Sequence, residues 1–150
     1  MKRFKNIIIK VNEPASPAMD ISVLRGIDLG RKIGANIILF DVVETHETIQ
    51  STYADIVRPS ELILAQRHDP LAEFAQKLQG HGLEISARVS QGKSFIETVR
   101  AVISSKGDLL IKAANSSEES FDSNDFHIMR KCPMSVWLIR EGKTTKLEKY

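Results

Sequence analysis

The chain has 150 residues, 42% of them hydrophobic, enough for one compact domain that buries roughly two-thirds of its unfolded surface. Lysine and arginine number 21 against 19 aspartates and glutamates, with both signs scattered, so no basic stripe or arginine–aromatic cluster points to nucleic acid. No apolar run approaches a membrane span, and the single cysteine, Cys132, excludes an intrachain disulfide framework.

The opening Met1-Lys2-Arg3-Phe4-Lys5-Asn6 leads only to Ile7-Ile8-Ile9 before Lys10, too short for the apolar part of a signal peptide. A cytoplasmic protein in a reducing compartment is expected. The isoleucines read as a first strand. Ser16-Pro17 then reads as an N-cap and first residue of a helix that stops at Gly34, with Val23, Ile27 and Gly30 on one stripe and Leu24 alongside. A second strand runs through Ile37-Ile38-Leu39-Phe40 and Val42-Val43, and residues 45–59 form a long polar connection. Between Ser60 and Gly80 the pattern is helical, but Asp69-Pro70 reads as a cap and restart, which predicts a kink or break there.

The run from Leu83 to Val89 alternates strictly, so one face meets water and an edge strand is expected. Ser94-Phe95-Ile96-Glu97 has capping-box spacing, with Ile96, Val99, Val102 and Ile103 as the apolar face and Gly107 as the stop. Leu109-Leu110-Ile111 and Val136-Trp137-Leu138-Ile139 complete the strands. Apart from the alternating third one, these runs are near-continuous, as in strands covered on both faces.

This alternation of strands and helices predicts a three-layer α/β sandwich with a five-stranded, mostly parallel sheet in the order 3-2-1-4-5. A crevice then lies beyond the carboxyl ends of strands one and four, where the winding reverses. Residues 1–140 read as a single domain, and residues 141–150 as a charged tail that does not pack.

Several motifs resolve into structural roles. Gly92-Lys93-Ser94 resembles the close of a phosphate loop, but the residues before it continue the strand, so a turn with Ser94 capping a helix is expected. The histidines at 46, 68, 81 and 127 have no metal-ligand spacing, and Asp122-Ser123-Asn124-Asp125 lacks the calcium-loop pattern. Cys132 before Pro133 reads as a small apolar residue at a helix end. There is no Gly-x-Ser-x-Gly elbow, and the strand ends lack the acidic pair and acceptor aspartate of a phosphorelay receiver.

Taken in order, Lys10-Val11-Asn12, the stretch from Ala35 to Val43, the Gly92 turn, Asp108-Leu109-Leu110-Ile111, and Arg130-Lys131-Cys132-Pro133 resemble the universal stress protein family over about residues 4–140. The last piece, with Asp125-Phe126-His127-Ile128-Met129 before it, is similar to the first half of tandem-domain members, which also lacks a glycine loop. The resemblance implies an adenine nucleotide alpha hydrolase-like fold. Nucleotide-binding members carry Gly-x-x-Gly after the fourth strand and a Gly-Ser or Gly-Thr pair further on. This chain has no glycine between Gly107 and Gly142.

Carried over by position, the family's acidic residue after the first strand is Asn12, its loop glycines fall on Ala113 and Ser116, and its Gly-Ser pair falls on Asp122-Ser123. Val42, whose backbone would face an adenine, is kept, and Lys112 lies one residue from the expected phosphate. A non-glycine residue in such a loop costs about 1–2 kcal/mol where φ must be positive. Asp122 would repel each phosphate charge by roughly 3 kcal/mol at ~5 Å and an effective dielectric of ~20. The resemblance thus implies a vestigial nucleotide site at Asn12, Val42, Lys112, Ala113, Ser116 and Ser123, with no cofactor beyond weakly held ATP or AMP, no catalytic residue and no metal. The expected function is a non-enzymatic stress-response protein acting by association. The alternative is an ATP- or AMP-binding member using Lys112, Ser116 and Ser123; a small hydrolase is a poorer third. The fifth strand, with Val136, Trp137 and Ile139, is the expected edge for a homodimer or for pairing with another domain of the same type.

Overall fold

The computed structural model describes residues 4–44, 59–80, 82–114, 130–131 and 134–139. Five strands, β1 (Asn6–Lys10), β2 (Asn36–Val43), β3 (Ile85–Gln91), β4 (Leu109–Ala113) and β5 (Ser135–Ile139), form one sheet in the order β3-β2-β1-β4-β5. Every pairing is parallel, with Ile8 opposite Ile38 and Leu110, and Lys10 opposite Phe40 and Lys112. Among the described residues the helices traced in full are α1 (Ile21–Ile33), α2 (Pro59–Leu78) and α3 (Ser94–Ser104). The predicted strand order and the β3 edge are both found.

Because β1 is covered on both sides, Ile7, Ile8 and Ile9 are all fully buried. Each such side chain contributes roughly 1.5–3 kcal/mol. Ile7, Ile9, Ile37, Leu39 and Ile111 pack under α1 and α2 with Val23, Ile27, Leu71 and Ala75. On the opposite face Ile8, Phe40, Val42 and Leu110 pack against Ala101 and Val102 of α3. Alternation of side chains along the strands produces the two cores. Gly26 lets α1 settle onto β1: a Cβ there would stand 2.7 Å from Ile9 Cγ1.

Several local expectations are corrected. Pro17 opens only a short 3-10 turn, Pro17–Met19; α1 begins after it, capped by Asp20, whose side chain accepts the Ser22 N–H. Leu24 is exposed, because Val23 and Ile27 already fill the strip that meets the sheet. α2 runs through Pro70 without a break. Leu71 and Ala75, buried just beyond the proline, hold the helix against the core where the backbone bond is lost.

On α3 the capping box does not form. Lys93 is the N-cap, Ser94 is the first helical residue, and Ser94 N–H donates to Glu44 Oε1 at 3.2 Å. The buried side of α3 is Thr98, Ala101 and Val102, whereas Ile96 and Ile103 are exposed. The left-handed residue after α3 is Lys106, φ 55°, and Gly107 instead provides a close approach, with Ile8 Cγ1 2.7 Å from where its Cβ would stand. The connection at 45–58 and the segments holding Ser116, Asp122 and Ser123 lie outside the described residues.

Candidate functional site

The winding reverses between β1, which continues to β2, and β4, which continues to β5, so the crevice opens above Lys10 and Lys112. These two lysines are register partners on adjacent parallel strands. Lys112 is only 3% exposed, and its Nζ donates to the Ala113 carbonyl at 2.9 Å. Lys10, its side chain 17% exposed, donates from Nζ to the Val11 carbonyl at 3.3 Å. Both ammonium groups fold over the ends of their own strands, where parallel-sheet carbonyls would otherwise face the crevice.

Asp41, near the end of β2, is buried and carries the compensating charge. Arg67 of α2 reaches it in a two-pronged contact, Nε to Oδ2 at 2.7 Å and Nη2 to Oδ1 at 3.0 Å. Such planar, charge-assisted pairs are the strong form of hydrogen bond. Lys10 Nζ stands 3.9 Å from Asp41 Oδ1. Burial lowers the Lys10 pKa; Asp41 and Asp20 act against that shift, while Lys112 and Arg67 add to it.

Asp41 also accepts the Val42 backbone N–H on Oδ1 at 2.8 Å. The Phe40 carbonyl accepts from Val11 N–H, and the Val43 carbonyl accepts from Gly92 N–H. By alternation, Val42 therefore turns its polar backbone toward β1, past the point where β1 stops pairing. In this position its N–H would face the crevice, and Asp41 takes it.

The β1–α1 connection is closed in the same way. Buried Asp20 accepts backbone N–H groups from Asn12 at 2.5 Å, Glu13 at 2.7 Å and Ser22 at 2.9 Å. The Asn12 side chain is exposed at the rim. Ala114 N–H donates to the Ile139 carbonyl at 2.9 Å, so sheet pairing with β5 extends past Ala113 into the start of the expected phosphate loop.

Of the residues the sequence singled out, Asn12, Val42, Lys112 and Ala113 all belong to strand ends or connections around this crevice, and Ser116 and Ser123 lie outside the described residues. Asp41, Arg67, Lys10 and Asp20 were not singled out as site residues. For Lys10 and Asp41 the signal was a charge at the end of an otherwise apolar strand, as in Ile9-Lys10 and Phe40-Asp41; Asp20, the cap of α1, and Arg67, within α2, carried no such signal. At β5 the Ile139 side chain is buried in the core, Val136 is half-buried and Trp137 is 36% exposed. Among the described residues no group of three or more His, Cys, Asp or Glu side chains is placed to hold a metal ion, and no helix is long and apolar enough to cross a membrane.

The fold is that of solved universal stress proteins, and the chain is similar in sequence to curated members of that family. Universal stress protein E of Escherichia coli K12 is 25% identical over 148 residues, covering 94% of this chain and 46% of that protein. The chain thus spans about half the length of the curated relatives it matches. Among solved structures, universal stress protein UspA from Lactobacillus plantarum superposes with a TM-score of 0.71 at 16% identity, covering 93% of this chain and all of the other. A family member from Arabidopsis thaliana with AMP bound superposes at 0.57 with 13% identity, covering 94% of each chain. No family model matches the sequence.

Proposed function

We propose that this domain is a non-enzymatic, cytoplasmic stress-response protein that acts by association, with a crevice that has lost the nucleotide grip of its relatives. The observation that carries this reading is the hydrogen bond from Val42 N–H to Asp41 Oδ1 at 2.8 Å. An adenine read by the Val42 backbone would have to displace a buried carboxylate that Arg67 also holds. Breaking such a charge-assisted bond costs about 1.5–3 kcal/mol. The Asn12 N–H is likewise taken, by Asp20. The absence of glycine from 108 to 141 removes the backbone freedom with which the loop would wrap phosphates.

Association is assigned to β5, whose outer edge has no strand neighbour among the described residues. Pairing there, with a second copy or with another domain of the same type, would cover Val136 and Trp137.

A second reading, an AMP- or ATP-binding member with a retuned loop, is favoured by the Lys10 and Lys112 ammonium groups at the crevice and by the AMP bound to the Arabidopsis neighbour. Mass spectrometry of natively purified protein separates the two. Protein free of nucleotide supports the first reading, and stoichiometric AMP or ATP supports the second.

A further inference from the structure

Between the 3-10 turn at Pro17–Met19 and the second half of α2 lies an open pocket of about 390 Å³ that neither reading uses. Small-molecule sites run from roughly 300 to 1,000 Å³, so this one suits a ligand of metabolite size. Its α2 wall is Pro70, Glu73, Phe74 and Lys77, the i, i+3, i+4 and i+7 positions of one helix face. Pro17 and Met19 form the wall across from it. The apolar part is stiff, because Pro17 is buried and Phe74 packs against the core that holds Leu71 and Ala75. Exposed Met19 adds a soft, adaptable thioether at the lip.

The charged part of the lining is one acid and one base. Glu73 and Lys77 stand one helical turn apart, in the order that favours an ion pair. Asp28 and Lys32, equally spaced on α1, do pair, at 3.1 Å. Glu73 and Lys77 do not, and among the described residues neither has an ion pair or a side-chain hydrogen bond. Two opposite charges therefore flank an apolar floor without satisfying each other.

We propose that this pocket binds a free aromatic α-amino acid. Its ammonium is matched to Glu73 and its carboxylate to Lys77, while the ring lies among Pro17, Met19, Pro70 and Phe74. A ring is chosen over an aliphatic chain because it gains contacts with Phe74 and with the Met19 sulfur beyond the area it buries. A zwitterion is chosen over an anion because a second negative charge would meet Glu73. Both charged side chains are exposed, so each ion pair adds little and the affinity is millimolar.

The test is titration of the full-length chain with L-phenylalanine, followed by NMR at the Met19 methyl and the amides of residues 71–77. These signals should shift saturably in the millimolar range. Glu73→Gln and Lys77→Gln, both at exposed positions, should keep the fold and each weaken binding by up to about fivefold. N-acetyl-L-phenylalanine, which lacks the ammonium, should lose nothing further from Glu73→Gln, and L-phenylalaninamide nothing further from Lys77→Gln. Absence of saturable shifts overturns the proposal, as does wild-type affinity for L-phenylalanine in both variants. So do Met19 shifts that follow protein concentration without ligand, because a second copy then fills the pocket.

Discussion

Arg67 Nε donates to Asp41 Oδ2 at 2.7 Å, and this bond joins the middle of α2 to the end of β2 at the mouth of the crevice. It keeps a buried carboxylate where the Val42 N–H would otherwise be free. A side chain on one helix thereby helps to hold the carboxylate that accepts a backbone N–H of the sheet.

Removing one partner should be costly. Arg67→Met is expected to destabilise the fold by about 2 kcal/mol, below the 3–5 kcal/mol of a fully buried pair because Arg67 is partly exposed. The double variant Arg67→Met, Asp41→Leu should recover little of the loss, since Lys10 and the Val42 N–H then lose Asp41 as their partner. Urea denaturation of the three proteins checks this. Equal stability of wild type and Arg67→Met would show that the contact contributes little.

The α1–β1 contact yields a prediction with an internal control. Gly26→Ala drives a methyl into buried Ile9, and overpacking of about 1–3 kcal/mol should outweigh the helix-propensity gain of about 1 kcal/mol. Leu24→Ala, on the exposed side of the same helix, should change stability by no more than about 0.5 kcal/mol. Thermal unfolding that ranks Leu24→Ala as the more damaging would contradict the packing described.

The Lys10 setting gives stability a pH dependence of defined sign. Its folded pKa lies below the unfolded 10.5, so between the two values the unfolded chain binds more protons. Stability then rises with pH through that window, and below the folded pKa the contribution is constant and unfavourable. Lys10→Met should flatten the rise seen by urea denaturation from neutral pH to pH near 10. A wild-type slope identical to that of the variant would show that Lys10 is not the cause.

Much of this architecture is legible in the sequence. The near-continuous runs Ile7-Ile8-Ile9 and Leu109-Leu110-Ile111 are found buried on both faces, and the alternating third strand lies at an edge. Helix faces were read less well where two apolar residues are adjacent. Val102 is buried and Ile103 exposed, as are Val23 and Leu24, and periodicity alone does not choose between neighbours some 100° apart. The crevice was placed from winding order, but its chemistry depends on Asp41 meeting Arg67 across 26 residues. Nothing local in the sequence signals that contact.

The β5 edge is expected to mediate association. In sedimentation at micromolar concentration the pure chain should exceed monomer size, and Val136→Lys should reduce it, because a charge at a paired edge blocks a neighbouring strand. A strict monomer whose size and stability Val136→Lys leaves unchanged would contradict the assignment.

Calorimetric titration of ATP with Mg²⁺ at millimolar concentration tests the proposed loss of nucleotide binding most directly. With Val42 N–H held by Asp41, Asn12 N–H held by Asp20 and no glycine in the loop, the account predicts little or no saturable heat. A dissociation constant in the low micromolar range would contradict it.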